Sequence, residues 1–444
     1  MVSTCNAVLN SVGEKQPFYH QKLRIFLVLT ITHAHIIAPH AFSEQFFRTV
    51  LLYGGCCLIT VVLYIVLAMT TVFCAIALYN ALTAPMITKR PPKTTPADDI
   101  ANTDPLLLPR VSVLIPARNE EHNIAKCLEG LVHQTYKHLE IIVLNDHSTD
   151  GTARIVQEYA LKYQGLVKLM NGITIPQGWT GKNWACQQLS SAATGDVLIF
   201  TDADNTHAPT AVAKTVQWLK TYKLGLISAF PQQQTVSFAE QLAVPVMDMF
   251  VYAGLPLWLT YKAEHPSLAA ANGQWIAFNK DAYTFIGGHF AVKDHIVEDV
   301  ELARTIKQRG IDMITAAGTG EIFCRMYTSF DEVWHGFTKN IFGLVRYNSN
   351  AFFALMLMLF ALCILPYTLV FVEEYRTLCL ATIVLNLLMR GILAWRFKHP
   401  LLPSILLHPI GVGLMIAIGI NAYTEVSRGT IRWKDREIAV HLEQ

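Results

Sequence analysis

Residues 49–88 carry no charged side chain. About 20 apolar residues are enough to cross a bilayer. The run therefore fits one membrane helix with length to spare, centred on residues 51–78, and no cluster of turn residues divides it. Lys89, Arg90 and Lys93 follow at once, and basic residues flank spans on the cytosolic side, so what comes next is expected in the cytosol. Three more apolar runs lie near the C-terminus, at 351–372, 378–395 and 401–423, parted by Glu373-Glu374-Tyr375-Arg376 and by Arg396, Lys398 and His399. The organisation expected is an N-terminal segment at 1–48 that rests in the membrane interface, a transmembrane helix within 49–88, and a linker at 89–109. A soluble domain at 110–345, a C-terminal membrane region of two to three spans at 351–423 and a basic tail at 424–444 complete it. Three full C-terminal spans would leave Arg428, Arg432, Lys434 and Arg436 outside, against the charge rule. One run is then expected to be re-entrant or interfacial, the third being the best candidate because it holds Pro403 and Pro409; the parity stays open. Arg390 lies inside the second run. Charge there is costly, so Arg390 is expected to pair with a lipid phosphate or with another helix.

The chain is 52% apolar and 15% charged with a net charge of +2. No basic stripe offers a nucleic-acid footprint, so no nucleic-acid partner is expected. Nine cysteines include no Cys-x-x-Cys pair, which supports neither a zinc site nor a disulfide framework. A reducing, cytosol-facing domain fits best.

Within 110–345, short runs rich in apolar and β-branched residues read as strands at 111–115, 140–144, 167–170, 197–200 and 224–229. Helical patterns fall between them at 120–131, 152–162, 183–193 and 209–221. Such alternation implies an α/β fold with a mostly parallel sheet. Residues 238–260 depart from it, being long and apolar with Glu240, Pro245, Asp248 and Pro256 inside; they form either a buried helix pair or an amphipathic element in the membrane interface. A helix opens at Glu298-Asp299 and stops at Gly310. Another covers 329–342, with Ser329 and Glu332 at capping-box spacing.

One strand ends in Thr201-Asp202-Ala203-Asp204. Along a strand, residues i and i+2 share a face, so both carboxylates can reach one hard cation and its phosphates. Alone, the pair also fits a loop capping the next helix. Asp146 and the pair Glu298/Asp299 fall at other strand ends or helix starts, and in a parallel sheet such points gather at one edge. So many carboxylates call for cations, and a diphosphate carrying Mg2+ or Mn2+ supplies them. No Gly-x-x-x-x-Gly-Lys-Ser/Thr loop and no Gly-x-Gly-x-x-Gly turn is present. His207 and His289 lack ligand spacing and read as structural or lining residues.

Four motifs in order resemble the family 2 glycosyltransferases of GT-A fold. They are Ile115-Pro116-Ala117-Arg118-Asn119-Glu120-Glu121, Val143-Leu144-Asn145-Asp146-His147-Ser148-Thr149-Asp150, Thr201-Asp202-Ala203-Asp204 and Glu298-Asp299. Asn145 replaces the first Asp of the second motif. Gly178-Trp179-Thr180-Gly181-Lys182-Asn183-Trp184, Thr206-His207, Trp334-His335-Gly336-Phe337-Thr338-Lys339-Asn340 and Trp433-Lys434-Asp435-Arg436 resemble the membrane-bound branch that glycosylates carotenoids and related isoprenoid lipids, with hopanoid-associated members nearby. The resemblance implies a Rossmann-like GT-A domain flanked by transmembrane helices. It implies a metal-dependent, inverting hexosyltransferase of multi-pass topology in a bacterial-type plasma membrane, moving sugar from a UDP-sugar to a lipid hydroxyl at the cytosolic face. Pro116, Arg118, Glu120 and Asp146 would hold the nucleoside, and Lys182 and Asp202 the diphosphate. Asp204, with Asp202, would hold Mg2+ or Mn2+. Asp299, beside Glu298, would be the catalytic base. Gln274, Trp334 and Lys339 would serve the acceptor or gate the site; Trp334 and Lys339 equally fit helix packing and a surface charge. A polysaccharide synthase is an alternative, opposed by the missing Gln-x-x-Arg-Trp motif. A catalytically inactive scaffold or lipid carrier is another, opposed by the retained Asp202, Asp204 and Asp299.

Overall fold

The computed structural model describes residues 39–95, 99–100, 103–104, 107–428, 432–433 and 436–437. The expected interfacial segment at 1–48 thus falls largely outside the described residues. The chain divides into two units, 1–64 and 65–444, and every contact given below lies within the second.

Helix α1 (Pro39–Thr83) is longer than expected at both ends. Residues Pro85 and Ile87 then join the domain through backbone bonds with Ala317. The domain follows with β1 (Val111–Ala117), α2 (Ile124–Val132), β2 (Leu139–Asn145), α3 (Thr152–Lys162), β3 (Val167–Asn171), α4 (Gly181–Ala192), β4 (Val197–Thr201) and β5 (Asn205–His207). Next come α5 (Ala211–Tyr222), β6 (Leu226–Phe230), β7 (Gln232–Gln233), α6 (Phe238–Tyr252), β8 (Trp275–Asn279), α7 (Glu298–Gln308), β9 (Met313–Ala317) and β10 (Ile322–Cys324). Seven strands form one sheet in the order β3-β2-β1-β4-β8-β6-β9. All pair in parallel except β8, which runs against both neighbours. This is the mostly parallel α/β sheet expected of a GT-A domain.

The near-continuous apolar strands have a simple cause, since helices cover both faces. Val113 and Ile115 join Ile141, Val143 and Ile199 in one core. Leu114 joins Ile142, Leu144, Leu198 and Phe200 in the other, as the period of two requires. Parallel pairing puts the ends of β1, β2 and β4 at one edge. The antiparallel β8 starts at that same edge, with Trp275 opposite Thr201. Arg118, Asp146, Asp202 and residues 272–274 therefore meet there, although they are far apart in sequence. A small sheet of β5, β10 and β7 adjoins.

Helices α8 (Phe330–Ile341), α9 (Ser349–Cys363), α10 (Arg376–Phe397) and α11 (His408–Arg428) close the chain. Among the described residues, three helices are long and apolar enough to cross a membrane: Leu58–Thr83, Arg376–Phe397 and His408–Arg428. Two of the C-terminal runs are broken. The first breaks at Ile364, where Pro366 opens a separate short helix, Leu365–Leu369, after α9. The third, as its prolines led one to expect, divides at Leu407 into a short helix, Leu401–Leu406, and α11, which carries Pro409 in its first turn, where proline is tolerated.

The stretch 238–260 is chiefly α6, capped by the reciprocal Ser237 and Glu240 box. It packs against the C-terminal helices, and Gly411 of α11 lies so close to the Leu242 carbonyl that a Cβ would sit 2.5 Å from it. Arg390 is fully buried and donates to the carbonyls of Pro245 (2.8 Å) and Ser404 (3.2 Å). Of the two expected partners, it has taken the protein.

Candidate active site

The loops after β1 and β2 interlock. Asn119, at φ 51°, accepts from the Thr149 amide (2.9 Å), while its own amide donates to Ser148 Oγ (3.1 Å). Glu120 N donates to Thr152 Oγ1 (2.8 Å) and Arg118 Nη1 to the Asp146 carbonyl (3.0 Å). The result is a wall that carries Arg118, Glu120 and the buried Asp146.

The chain leaves β4 in a turn, not an extended strand, so strand alternation does not set the directions of Asp202 and Asp204. Asn205 causes this by donating its amide to Thr201 Oγ1 (3.1 Å) and to the Gln274 carbonyl. Asp202 meets Lys182 Nζ at 3.0 Å. Asp204 is half-buried, yet its Oδ1 is buried with no hydrogen-bond partner, and the Cys324 thiol lies beside its carboxylate. Burial, followed by the charges of Asp202 and Glu120, raises the Asp204 carboxyl to about 7.

Lys182 was expected in a loop, but α4 starts two residues early because Thr180 caps it, accepting from Asn183 N. This puts Lys182 in the first turn, where its ammonium also meets Glu298 Oε1 at 3.1 Å. Burial opposes charge on Lys182, and the carboxylates of Asp202 and Glu298 outweigh it, holding the amine well above its usual range. Asp299, in the first turn of α7, accepts from Gly273 N (2.7 Å) and Val300 N (2.8 Å). Burial, then the Glu298 charge, raises its carboxyl to about 7.

Pro116, Lys182, Asp202, Gly273, Glu298 and Asp299 line one cavity, together with His289. His289 is buried against the Tyr283 hydroxyl (2.7 Å), and burial lowers it to about 3. His207 is likewise buried beside Thr201 Oγ1 and lowered to about 3, so both imidazoles are neutral at physiological pH. Gln274 turns inward, donating to Cys324 Sγ (3.0 Å) and accepting from Gln233 (3.2 Å). Trp334 is half-buried and stacks on the exposed Phe330. Lys339 lies on α8, and its side chain falls outside the described residues.

The residue at the centre of this cluster, Gly273, carries no charge and was not singled out from sequence. A Cβ there would lie 3.0 Å from Lys182 Nζ, 3.4 Å from Glu298 Oε1 and 3.5 Å from Asp299 Oδ2. Gly273→Ala should leave folding nearly intact, because the flexible end of Lys182 gives way. Misplacing a positioned group by up to 1 Å can cost about 100-fold in rate, so a loss of roughly ten- to 100-fold in kcat is expected. Thermal melts and steady-state kinetics on the one preparation check both halves.

Among the described residues, no group of three or more His, Cys, Asp or Glu converges on a metal position. Two carboxylates, one with an orphaned buried oxygen, suit a hard cation that brings its other ligands as phosphates and water, as Mg2+ usually does. The residues present fit such an ion.

A mostly parallel α/β domain with an acidic site at its strand ends, set between apolar helices, is the class of protein defined so far. Residues 112–250 match the family described as Glycosyl transferase family 2. The 4,4'-diaponeurosporenoate glycosyltransferase of Staphylococcus haemolyticus is 32% identical over 236 residues, covering 52% of this chain and 60% of that protein. The chain thus spans less than two thirds of that relative's length. The protein of the same name from Staphylococcus aureus (strain USA300) is 27% identical over 350 residues, covering 75% of this chain and 89% of the relative. Among solved structures, a mannosyltransferase from Pyrobaculum calidifontis in complex with GDP-Man and Mn2+ is 20% identical, covering 82% of this chain and 98% of that one, with a TM-score of 0.48.

Proposed function

We propose that this protein transfers a hexose from a nucleotide-sugar donor, a UDP-sugar, to a carotenoid-type or other isoprenoid-like lipid at the cytosolic face of the membrane. The observation that carries the reading is the single cavity in which Lys182 bridges Asp202 on the donor side and Glu298, next to Asp299, on the acceptor side. The names of the relatives support a carotenoid-type acceptor.

In this reading Pro116, Arg118, Glu120 and Asp146 line the nucleoside pocket, and Lys182 faces the diphosphate as a point charge. Asp204 and Asp202 hold Mg2+ or Mn2+. A bound divalent ion would supply charge stabilisation to the departing diphosphate. Asp299 takes the proton from the acceptor hydroxyl as that oxygen attacks the anomeric carbon from the face opposite the leaving group, so configuration inverts. Glu298 keeps Lys182 in place. Gln274 supports the loop that carries Gly273, and Trp334 and Lys339 stand on the acceptor side.

In this reading α10 ends beside the domain end of α1, Arg396 Nε donating to the Ala81 carbonyl (2.7 Å), and α11 lies against α6 and α8, so the basic tail that follows stays on the side of the domain, as basic flanks prefer.

The relatives' names favour a second reading of the acceptor group, since diaponeurosporenoate is a carboxylate and its product would be a glycosyl ester. Purified protein incubated with UDP-hexoses, Mn2+ and a carotenoid-containing lipid extract should yield a glycolipid seen by mass spectrometry. Nucleotide release that proceeds equally without lipid would sink the proposal.

A further inference from the structure

Two residues after Asp299, helix α7 presents Glu301, which is largely buried. It is gripped by the Arg346 guanidinium, with Nη2 at 2.9 Å from Oε1 and 2.7 Å from Oε2, and Nε at 3.1 Å from Oε1. Arg304 shares the same carboxylate. A two-oxygen fork of this kind fixes direction as well as distance.

Arg346 is not on a helix. It stands with Tyr347 in the elbow between α8 and α9, and both residues have left-handed backbone, at φ 53° and 58°. Two successive non-glycine residues in that region are uncommon, and such strain persists only where the surroundings enforce it. The elbow turns the chain by 114° between residues 330–345 and 349–363. Its second contact falls on the other side of the acidic pair: a Cβ on Gly343 would lie 3.0 Å from Val297 Cγ2 and 3.2 Å from the Tyr347 hydroxyl. Val297 directly precedes Glu298. The elbow therefore touches α7 on both sides of Glu298-Asp299, at Val297 and at Glu301. Beyond it, α9 exposes Phe353, Leu357 and Phe360, and before it α8 exposes Phe330. These are apolar surfaces suited to lipid.

We infer that Arg346 is a positioning residue which, through Glu301, holds the start of α7 against the α8–α9 elbow, so that the acidic pair is aligned with an acceptor delivered from the apolar side. This rests on the lipid-acceptor reading above. Lys182 keeps its second carboxylate, Asp202 at 3.0 Å, on the donor side, so donor binding should hold when the fork is lost.

The test uses the full-length protein with Mn2+, UDP-hexose and a carotenoid alcohol in phosphatidylglycerol vesicles. Arg346→Ala should lower acceptor kcat/KM at least tenfold while UDP affinity and melting temperature hold. Arg346→Lys, which keeps charge but loses the fork, should fall between. Glu301→Gln should cost about as much as Arg346→Ala, and the double variant no more than either alone, since partners in one interaction are non-additive. Parallel loss of UDP affinity, or additive losses, would overturn the inference, as would unchanged acceptor kinetics. Failure of the unaltered protein to glycosylate any lipid would overturn the proposed function and the inference with it.

Discussion

Asp299→Asn should abolish most transfer to an alcohol acceptor while leaving donor binding intact. The amide keeps an oxygen for the Gly273 N–H, which the carboxylate accepts at 2.7 Å, so the loop and the N-terminus of α7 should stay in place. What is lost is the proton acceptor. General-base catalysis is worth roughly 10²- to 10⁴-fold, and kcat/KM for the acceptor should fall by that factor. Affinity for UDP with Mn2+ should hold, because Asp299 faces Glu298 and Gly273 rather than Asp202. The pH profile gives an independent reading. The Asp299 carboxyl is raised to about 7, by burial first and the Glu298 charge second. Only the ionised form accepts a proton, so activity is present above that value and is lost as pH falls through it, about tenfold per unit. The variant should lack this acid limb. A carboxylate acceptor reverses the expectation, since it brings no proton to remove. Asp299→Asn should then keep most activity, and ionised Asp299 should repel the acceptor, so the rate would rise rather than fall below pH 7. Profiles measured with a carotenoid alcohol and a carotenoid acid separate the two chemistries. Full activity of the variant with the alcohol would remove Asp299 from the reaction.

Much of this site was legible in the chain because its parts are local. Each apolar β-branched run became a strand, and each acidic residue stands where a strand ends or a helix begins. The illegible parts depend on residues that sequence spacing does not bring together. Gly273 enters the site only because β8 runs backwards and sets Trp275 against Thr201. The Asp202–Asp204 turn is imposed by Asn205 reaching the Gln274 carbonyl, a partner about 70 positions away. The early start of α4 follows from one hydroxyl, that of Thr180. Among the apolar runs, the break beside Pro409, at Leu407 between Leu401–Leu406 and α11, was legible, whereas Pro366 stands at a break in a run that composition alone makes continuous. Arg390 illustrates a similar limit: its burial cost was legible, but its partners, the carbonyls of Pro245 and Ser404, follow from packing α6 against the C-terminal helices.

Asp204→Asn should separate stability from function. The wild-type carboxylate has a buried oxygen with no partner and is pushed up to about 7 by burial and by the charges of Asp202 and Glu120. Its folded-state value lies above its unfolded one, so the folded protein binds more protons between about pH 4 and 7, and stability from this group declines as pH rises through that window. The neutral amide removes the repulsion at similar volume. In the absence of metal the variant should melt at the same temperature as the unaltered protein or higher, and the difference should grow from pH 5 to pH 8. With Mn2+ and UDP the order should invert. Anything that binds only the native state raises its stability by mass action, about 2.7 kcal/mol at 100 times the dissociation constant. The unaltered protein should therefore gain several degrees and the variant almost none. Transfer should fall by about three orders of magnitude if the lost ion supplied several kcal/mol of transition-state stabilisation. Melting curves at two pH values, with and without Mn2+ and UDP, test every part of this on one pair of proteins. Mn2+-dependent UDP binding that survives in Asp204→Asn would place the cation elsewhere and leave the orphaned oxygen without its proposed purpose.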